Sequence, residues 1–372
     1  MFKFKQYNFR NLNIALIVIV GILCFISAFT INLDGEVNFK RQLFGFALGI
    51  VIIAMVTIID YHFIGRLVPL IYLVVVGLLV LVRFSPLRES HGTGAFRWLD
   101  LKVIELQPSE LAKIGLILMM AVLLTHLQEK MDKFYTLLFA LAIMGAPTIL
   151  VFSQPDLSSS MVMVFITGIM LFAGGLSYRI ILPLLAIAIP SFVALFWYLL
   201  QPFQTLLDEY QRQRILGFLD PEQFKQTISY QQNNSVQAIS TGKLYGKLLS
   251  EGASEVRGYN AVDVTESDFI FSVIGEEYGF LGSCLIILLL AFVIIICLLT
   301  ARRAKDQLGR LIAIGVSSMF MFQIFANIGV ATMILPNTGL PLPFLSYGLS
   351  SLMSSMIAIG LILNIGLQQK QR

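Results

Sequence analysis

Charge is scarce in this chain. Of 372 residues only 13% are Asp, Glu, Lys or Arg, while 57% are hydrophobic. A soluble domain carries roughly 25% charged residues, so a soluble globular protein is excluded. Cysteine is nearly absent. Cys24, Cys284 and Cys297 lie in separate apolar runs, without the spacing of a disulfide framework or a metal site. The three histidines, His62, His91 and His126, are equally scattered. There is no Walker loop, no strand-linked dinucleotide fingerprint, no HExxH and no GxSxG. Chemistry must therefore come from carboxylates and basic groups. A borrowed divalent cation, Mg²⁺ or Mn²⁺, is the one candidate cofactor. Its ligands are unknown, and no organic cofactor is expected. The formal charge of +4 is small, and no nucleic-acid partner is expected.

What the chain does have is length in hydrocarbon. Its mean hydropathy is +0.82, and a membrane helix needs about 20 mostly apolar residues. Ten runs qualify: Asn13–Ile31, Gln42–Ile59, Ile64–Val82, Pro108–Leu127, Phe134–Phe152, Leu157–Ala173, Ile180–Leu200, Phe269–Leu299, Leu308–Ala331 and Leu352–Leu367. The fold expected is an all-α polytopic membrane protein, one transmembrane domain over 1–372. The first run is too long for a cleaved signal peptide, and no small-residue cleavage site follows it, so it is read as a retained helix. The eighth run is too long for one straight span, and Gly279 and Gly282 are its candidate bend points.

Ten spans put both termini on one side. With the long loop set aside, thirteen lysines and arginines lie on that side and six on the other. The positive-inside rule then places the termini in the cytoplasm. Three outer segments are too elaborate for connectors. The first, 84–107, holds His91-Gly92-Thr93-Gly94 and Arg97-Trp98-Leu99. The second is the large extracellular loop 201–267, between the seventh and eighth spans. The third, 336–348, is apolar but full of Pro and Gly, so it is not a continuous helix. Irregular backbone at membrane depth survives where it is buried in protein or lines a wet cavity. The outer face is thus the working face.

Asp268 sits where the large polar loop meets the eighth apolar run. A carboxylate there is costly unless paired or used. Thr265-x-x-Asp268 matches a helix-capping pattern. The functional reading is a general base or anion site facing an outer cavity, and the two readings are compatible. Glu276 and Glu277 follow about two turns on, at 1.5 Å rise per residue, with no assigned role. Glu110 and Lys113 share a helix face behind Pro108. They are either a self-neutralising pair or a buried cation for a phosphate, oriented by Glu110. Asp156, after Gln154-Pro155, is either a helix starter at a turn or part of the site. On the long loop, Arg212 and Arg214 stand beside Ile215, Phe218 and Leu219, as in a helix on the membrane surface near phosphates. Ordinary interfacial anchoring is the alternative.

Six motifs in order carry a family resemblance. They are Gly94-Ala95-Phe96-Arg97-Trp98-Leu99, then Gln107-Pro108-Ser109-Glu110-Leu111-Ala112-Lys113, then Gln154-Pro155-Asp156-Leu157. After these come Arg214-Ile215 with Phe218-Leu219-Asp220-Pro221, then Ser267-Asp268-Phe269-Ile270-Phe271 with Gly275-Glu276-Glu277, and Pro341-Leu342-Pro343-Phe344-Leu345-Ser346-Tyr347-Gly348. Together they resemble the SEDS family (shape, elongation, division and sporulation), which includes RodA, FtsW and SpoVE, over nearly the whole chain. The resemblance implies a bacterial plasma-membrane glycosyltransferase that polymerises lipid II on the outer face. It maps the family's essential aspartate onto Asp268 and its paired acid and base onto Glu110 and Lys113. It implies a class B penicillin-binding protein as partner and undecaprenyl-diphosphate-linked glycan as the growing chain. Leu349 stands where the family usually has a second Gly, Ser267 where Thr is common, and 240–247 is less Gly-rich than in the family. The rival readings are a lipid II flippase or transporter and a non-catalytic scaffold for a cell-wall synthase.

Overall fold

A hydrocarbon core about 30 Å thick needs about 20 helical residues at 1.5 Å each. The computed structural model of the chain has ten helices that meet this requirement by length and apolarity. It describes residues 7–32, 36–84, 88–89, 97–100, 105–201, 203–206, 209–220, 230–248, 257–262 and 266–369. Each expected span is a helix: α1 Ile14–Asn32, α2 Glu36–Ile58, α3 Tyr61–Phe84, α4 Pro108–His126, α5 Phe134–Phe152, α6 Leu157–Gly174 and α7 Tyr178–Leu200, then α10 Ile270–Arg303, α11 Gln307–Ala331 and α12 Leu349–Leu367. Two shorter helices, α8 Glu209–Leu219 and α9 Tyr230–Thr241, belong to the long polar loop. Leu349 opens α12, so its departure from the family pattern leaves ordinary helix behind it. The segment 336–348 forms no helix, as its Pro and Gly content requires.

The all-α fold is as expected, with one small addition. Within 84–107 the chain forms a small antiparallel sheet of β1 Arg88–Glu89, β2 Trp98–Asp100 and β3 Glu105–Leu106, in the order β1-β2-β3. Leu99 pairs with Leu106 and Arg88 with Leu99. Strands of two or three residues carry no alternating pattern long enough to read. The Ser350 hydroxyl on α12 donates to the Glu105 carbonyl at 2.9 Å and holds the sheet's edge. The stretch His91-Gly92-Thr93-Gly94, with Ala95 and Phe96, lies outside the described residues.

The chain divides into two compact units: Met1–Leu176 with Leu289–Gln323 and Pro343–Arg372, and Ser177–Leu288 with Ile324–Leu342. Helix α12, in the first, is the most buried of the ten spans, followed equally by α4 and α11. Between lipid-exposed helices there is little hydrophobic driving force, so close packing and hydrogen bonds hold them. Accordingly α12 packs on α2 where glycine permits close approach: Leu349 and Leu352 lie over Gly45, Met356 over Gly49, and Val56 over Gly360. Asn364 ties the α2–α3 junction to α12, donating to the Thr57 carbonyl at 2.7 Å and accepting the Tyr61 amide at 3.0 Å. Beside it, His62 lies between two carboxylates, 2.9 Å from Asp60 and 2.6 Å from Asp306.

In the second unit, α9 is fastened to the end of α11. Gln232 donates to the carbonyls of Val330 and Leu335 at 3.0 and 2.9 Å, and Ser235 to that of Ala331 at 2.8 Å. Ala238, Tyr259 and Val273 form a small buried cluster in the same unit. Helix α7 buries none of its residues.

Candidate active site

The second unit carries Asp268. Residues 266–269 form the turn ahead of α10, and Asp268 is half-buried within it. Phe269, Ile270 and Phe271 immediately after it are buried, so the chain passes from polar loop to apolar core within one residue of the carboxylate. The Ser267 hydroxyl donates to Asp268 Oδ1 at 3.1 Å. Thr265, the other half of the expected capping pattern, lies outside the described residues. The irregular segment comes alongside: a Cβ built on Gly339 would stand 3.2 Å from Asp268 Oδ2. Asn327 on α11 donates through Nδ2 to the Asp268 carbonyl at 2.9 Å and to the Leu340 carbonyl at 2.7 Å. Nothing in the sequence reading singled out Asn327. The available signal was an uncharged amide deep in an apolar helix, a position that demands hydrogen-bond partners.

Glu276 and Glu277 have a visible task in the same unit. Helix α10 is interrupted at Gly279, whose φ of +66° and ψ of −166° leave the helical region. An interruption orphans amides and carbonyls on both sides. The loop residues 243–248 take them up. The Glu276 and Glu277 carbonyls accept the amides of Lys247 and Leu248 at 2.9 and 3.1 Å, and the amides of Phe280 and Leu281 donate to the carbonyls of Lys243 and Leu244 at 2.9 and 3.2 Å. A Cβ at Gly242 or Gly246 would overlap the backbone of Gly275 or Glu277. These two glycines are what this segment needs, although it is less Gly-rich overall than the family's. The acid side chains, both fully buried, secure the loop. Glu276 accepts the amides of Gly258 and Tyr259 at 2.8 and 2.9 Å and pairs with Lys247. Glu277 meets the Arg257 guanidinium at 2.7 Å.

The first unit carries the second constellation. Pro108 starts α4, which places Glu110 in its first turn and Lys113 one turn on. Lys113 donates to Glu110 Oε1 at 2.7 Å, with side-chain exposures of 0% and 1%. Two buried charges held by one bond are poor at stabilising a fold. Ser354 of α12 donates to Glu110 Oε2 at 3.1 Å, so the pair faces α12. Among the described residues, Glu110 is the one hydrogen-bond acceptor of Lys113, although an ammonium has three donors. Asp156 is the N-cap of α6: it accepts the Ser159 amide at 3.0 Å, and Ser109 donates to its other oxygen at 3.4 Å. Its turn role is thus visible, one hydroxyl away from the start of α4. Arg97 donates to the carbonyls of Gln154 and Pro155 at the same turn.

Arg212 and Arg214 lie on α8, a helix as expected. The side chain of Arg214 lies outside the described residues, as does Pro221. Among the described residues no group of three or more His, Cys, Asp or Glu side chains could hold a metal ion.

The chain resembles known proteins over nearly its full length. Residues 8–371 match the FtsW, RodA and SpoVE family model, described as cell cycle protein. A probable peptidoglycan glycosyltransferase FtsW of Geobacter sp. strain M18 is 32% identical over 338 residues, 91% of this chain and 89% of that one. The peptidoglycan glycosyltransferase MrdB of Escherichia coli K12 is 33% identical over 335 residues, 89% of this chain and 86% of that one. Among solved structures, a chain of a peptidoglycan synthase complex matches with a TM-score of 0.78 at 26% identity, covering 97% of each chain. The rod shape determining protein RodA of Thermus thermophilus shares the fold, with a TM-score of 0.69 at 24% identity over 98% of each chain.

Proposed function

The chain belongs to the FtsW, RodA and SpoVE family of cell-cycle proteins, and from that premise we propose that it polymerises lipid II on the outer face of a bacterial plasma membrane. It is a multi-pass membrane protein and a peptidoglycan glycosyltransferase. In the proposed reaction, a hydroxyl of the acceptor sugar attacks the anomeric carbon of the donor. The bond from that carbon to the diphosphate oxygen breaks, the electron pair leaves on the lipid diphosphate, and the hydroxyl proton passes to Asp268. Attack in line with the leaving group inverts the anomeric centre.

The observation that carries this reading is the setting of Asp268. It is a half-buried carboxylate at the border of an apolar helix, with its backbone tied down and Ser267 against one oxygen. A general base must be held within hydrogen-bond reach of the proton it takes. The departing diphosphate calls for positive charge. Lys113, with one acceptor for three donors, is the candidate cation of the first unit. Arg212 and Arg214 are the candidates of the second, and Mg²⁺ or Mn²⁺ is a candidate companion of the diphosphate. The excess of basic residues on the side of the termini supports a cytoplasmic placement of both. The likeness to a peptidoglycan synthase complex chain supports a class B penicillin-binding protein as the crosslinking partner.

A gel assay of the purified chain with lipid II, with and without the partner transpeptidase, tests the proposal. Glycan ladders are the expected result. Translocation of lipid II across vesicles without polymerisation would replace the proposal with a flippase, and silence in both assays with a scaffold.

A further inference from the structure

We propose that Asn327 is a positioning residue for Asp268. The inference rests on the assignment of Asp268 as the base. Asn327 is 1% exposed and stands one turn from the end of α11. A side-chain amide nitrogen has two hydrogens, and both are spent on backbone: one on the Asp268 carbonyl at 2.9 Å, one on the Leu340 carbonyl at 2.7 Å. Two carbonyls fix which end of the amide is nitrogen, so the donor assignment follows from the chemistry of the partners. Asn327 therefore joins two pieces of non-helical backbone that no helix ladder holds: the turn 266–269 and the irregular segment after α11.

A close approach between the same two pieces shows why their distance matters. Gly339 has φ +70°, and a Cβ there would sit 3.2 Å from Asp268 Oδ2. On this side no side chain stands between the carboxylate and the Gly339 backbone, and the other oxygen takes the Ser267 hydroxyl. If the Leu340 carbonyl drifted from the Asp268 carbonyl, Gly339 would leave the carboxylate and widen its range of rotamers. The amide carries no charge and bonds Asp268 through its carbonyl alone, so its influence is on where the base sits. Catalytic rates fall steeply with such displacement, about 100-fold for 1 Å. An ordinary helix-end hydrogen bond would need one carbonyl, not two from separate segments.

The test uses the full-length chain purified in detergent, with lipid II as the probe and rates normalised to folded, monodisperse protein. Asn327→Leu keeps the bulk and removes both donors. Gly339→Ala keeps the amide and crowds the carboxylate. Both are expected to lower kcat about 100-fold while KM for lipid II moves by less than about twofold. A KM that rises with kcat unchanged, or wild-type kcat per folded molecule, overturns the proposal. If Asn327→Leu fails to fold, Asn327→Ser, which can keep at most one of the two donors, decides: wild-type kcat overturns it, a kcat-only loss supports it. Asp268→Asn is run beside them. Normal polymerisation by that variant removes the base and the positioning role together. An inactive Asp268→Asn beside fully active Asn327→Leu and Gly339→Ala removes the positioning role alone.

Discussion

The amide of Phe280 donates to the carbonyl of Lys243 at 2.9 Å. A residue of the long polar loop thereby completes the backbone hydrogen bonding of an interrupted helix. Three further bonds of the same kind surround Gly279, and the buried carboxylates of Glu276 and Glu277 anchor the loop beside them. The loop is part of the unit that holds Asp268, not a tether hung from it.

Gly246→Ala tests that insertion. Its φ of +80° disfavours any L side chain, and a Cβ would overlap the Glu277 carbonyl. The left-handed conformation alone costs roughly 1–2 kcal/mol, and the overlap adds to it. The expected outcome is a lower unfolding temperature and new protease cleavage within 242–248, with polymerisation lost. Wild-type melting and cleavage patterns would contradict the insertion.

Glu110 and Lys113 separate pairing from function. Exchanging them, Glu110→Lys with Lys113→Glu, preserves an ion pair on the same helix face. It also moves the ammonium from the second turn to the first and sets it against Ser354, which now donates to Glu110. Folded protein with polymerisation reduced at least about tenfold is expected, because the cation proposed for the diphosphate is displaced. Lys113→Ala alone is expected to cost about 3–5 kcal/mol of stability, since it leaves a buried carboxylate unpaired. An exchanged variant with full activity would reduce the pair to a structural role.

Asp306 gives a pH dependence with a defined sign. Burial alone would raise its carboxyl, but bonds from His62, the Gly309 amide and Tyr61 outweigh that and hold it down at about 2. A carboxyl held below its ordinary 3.8 contributes stability that is complete above that value and lost as pH falls through about 2. Thermal unfolding of the wild type and Asp306→Asn should differ most at mildly acidic pH, above the ordinary 3.8 of the carboxyl and below the ordinary 6.5 of His62, where that partner is charged. The gap should close across this acid window. A constant gap down to pH 2 would show that the carboxylate's charge contributes nothing.

The ten spans were legible because hydrocarbon thickness dictates their length and composition. Gly279 was legible as a bend because glycine in an overlong apolar run has few other reasons to be there. The buried Glu110–Lys113 pair could be placed from spacing alone. The sheet at 88–106 could not, since two-residue strands have no periodicity. Neither could the insertion of 243–248 into α10, because its bonds join backbone to backbone and only Gly242 and Gly246 betray the close approach. Asn327 was missed because its partners, the carbonyls of Asp268 and Leu340, are set by tertiary structure and leave no mark on neighbouring residue types. Glu276 and Glu277 stood out as acids in an apolar run, but their partners lie on the loop ahead of them.

The measurement that tests the account most directly is lipid II polymerisation by purified Asp268→Asn beside the wild type, each checked for folding by its thermal unfolding curve. The substitution keeps the size and hydrogen-bonding shape of the side chain and removes its basicity. The account predicts wild-type folding with no glycan ladder. A folded Asp268→Asn protein that makes strands at the wild-type rate would contradict it.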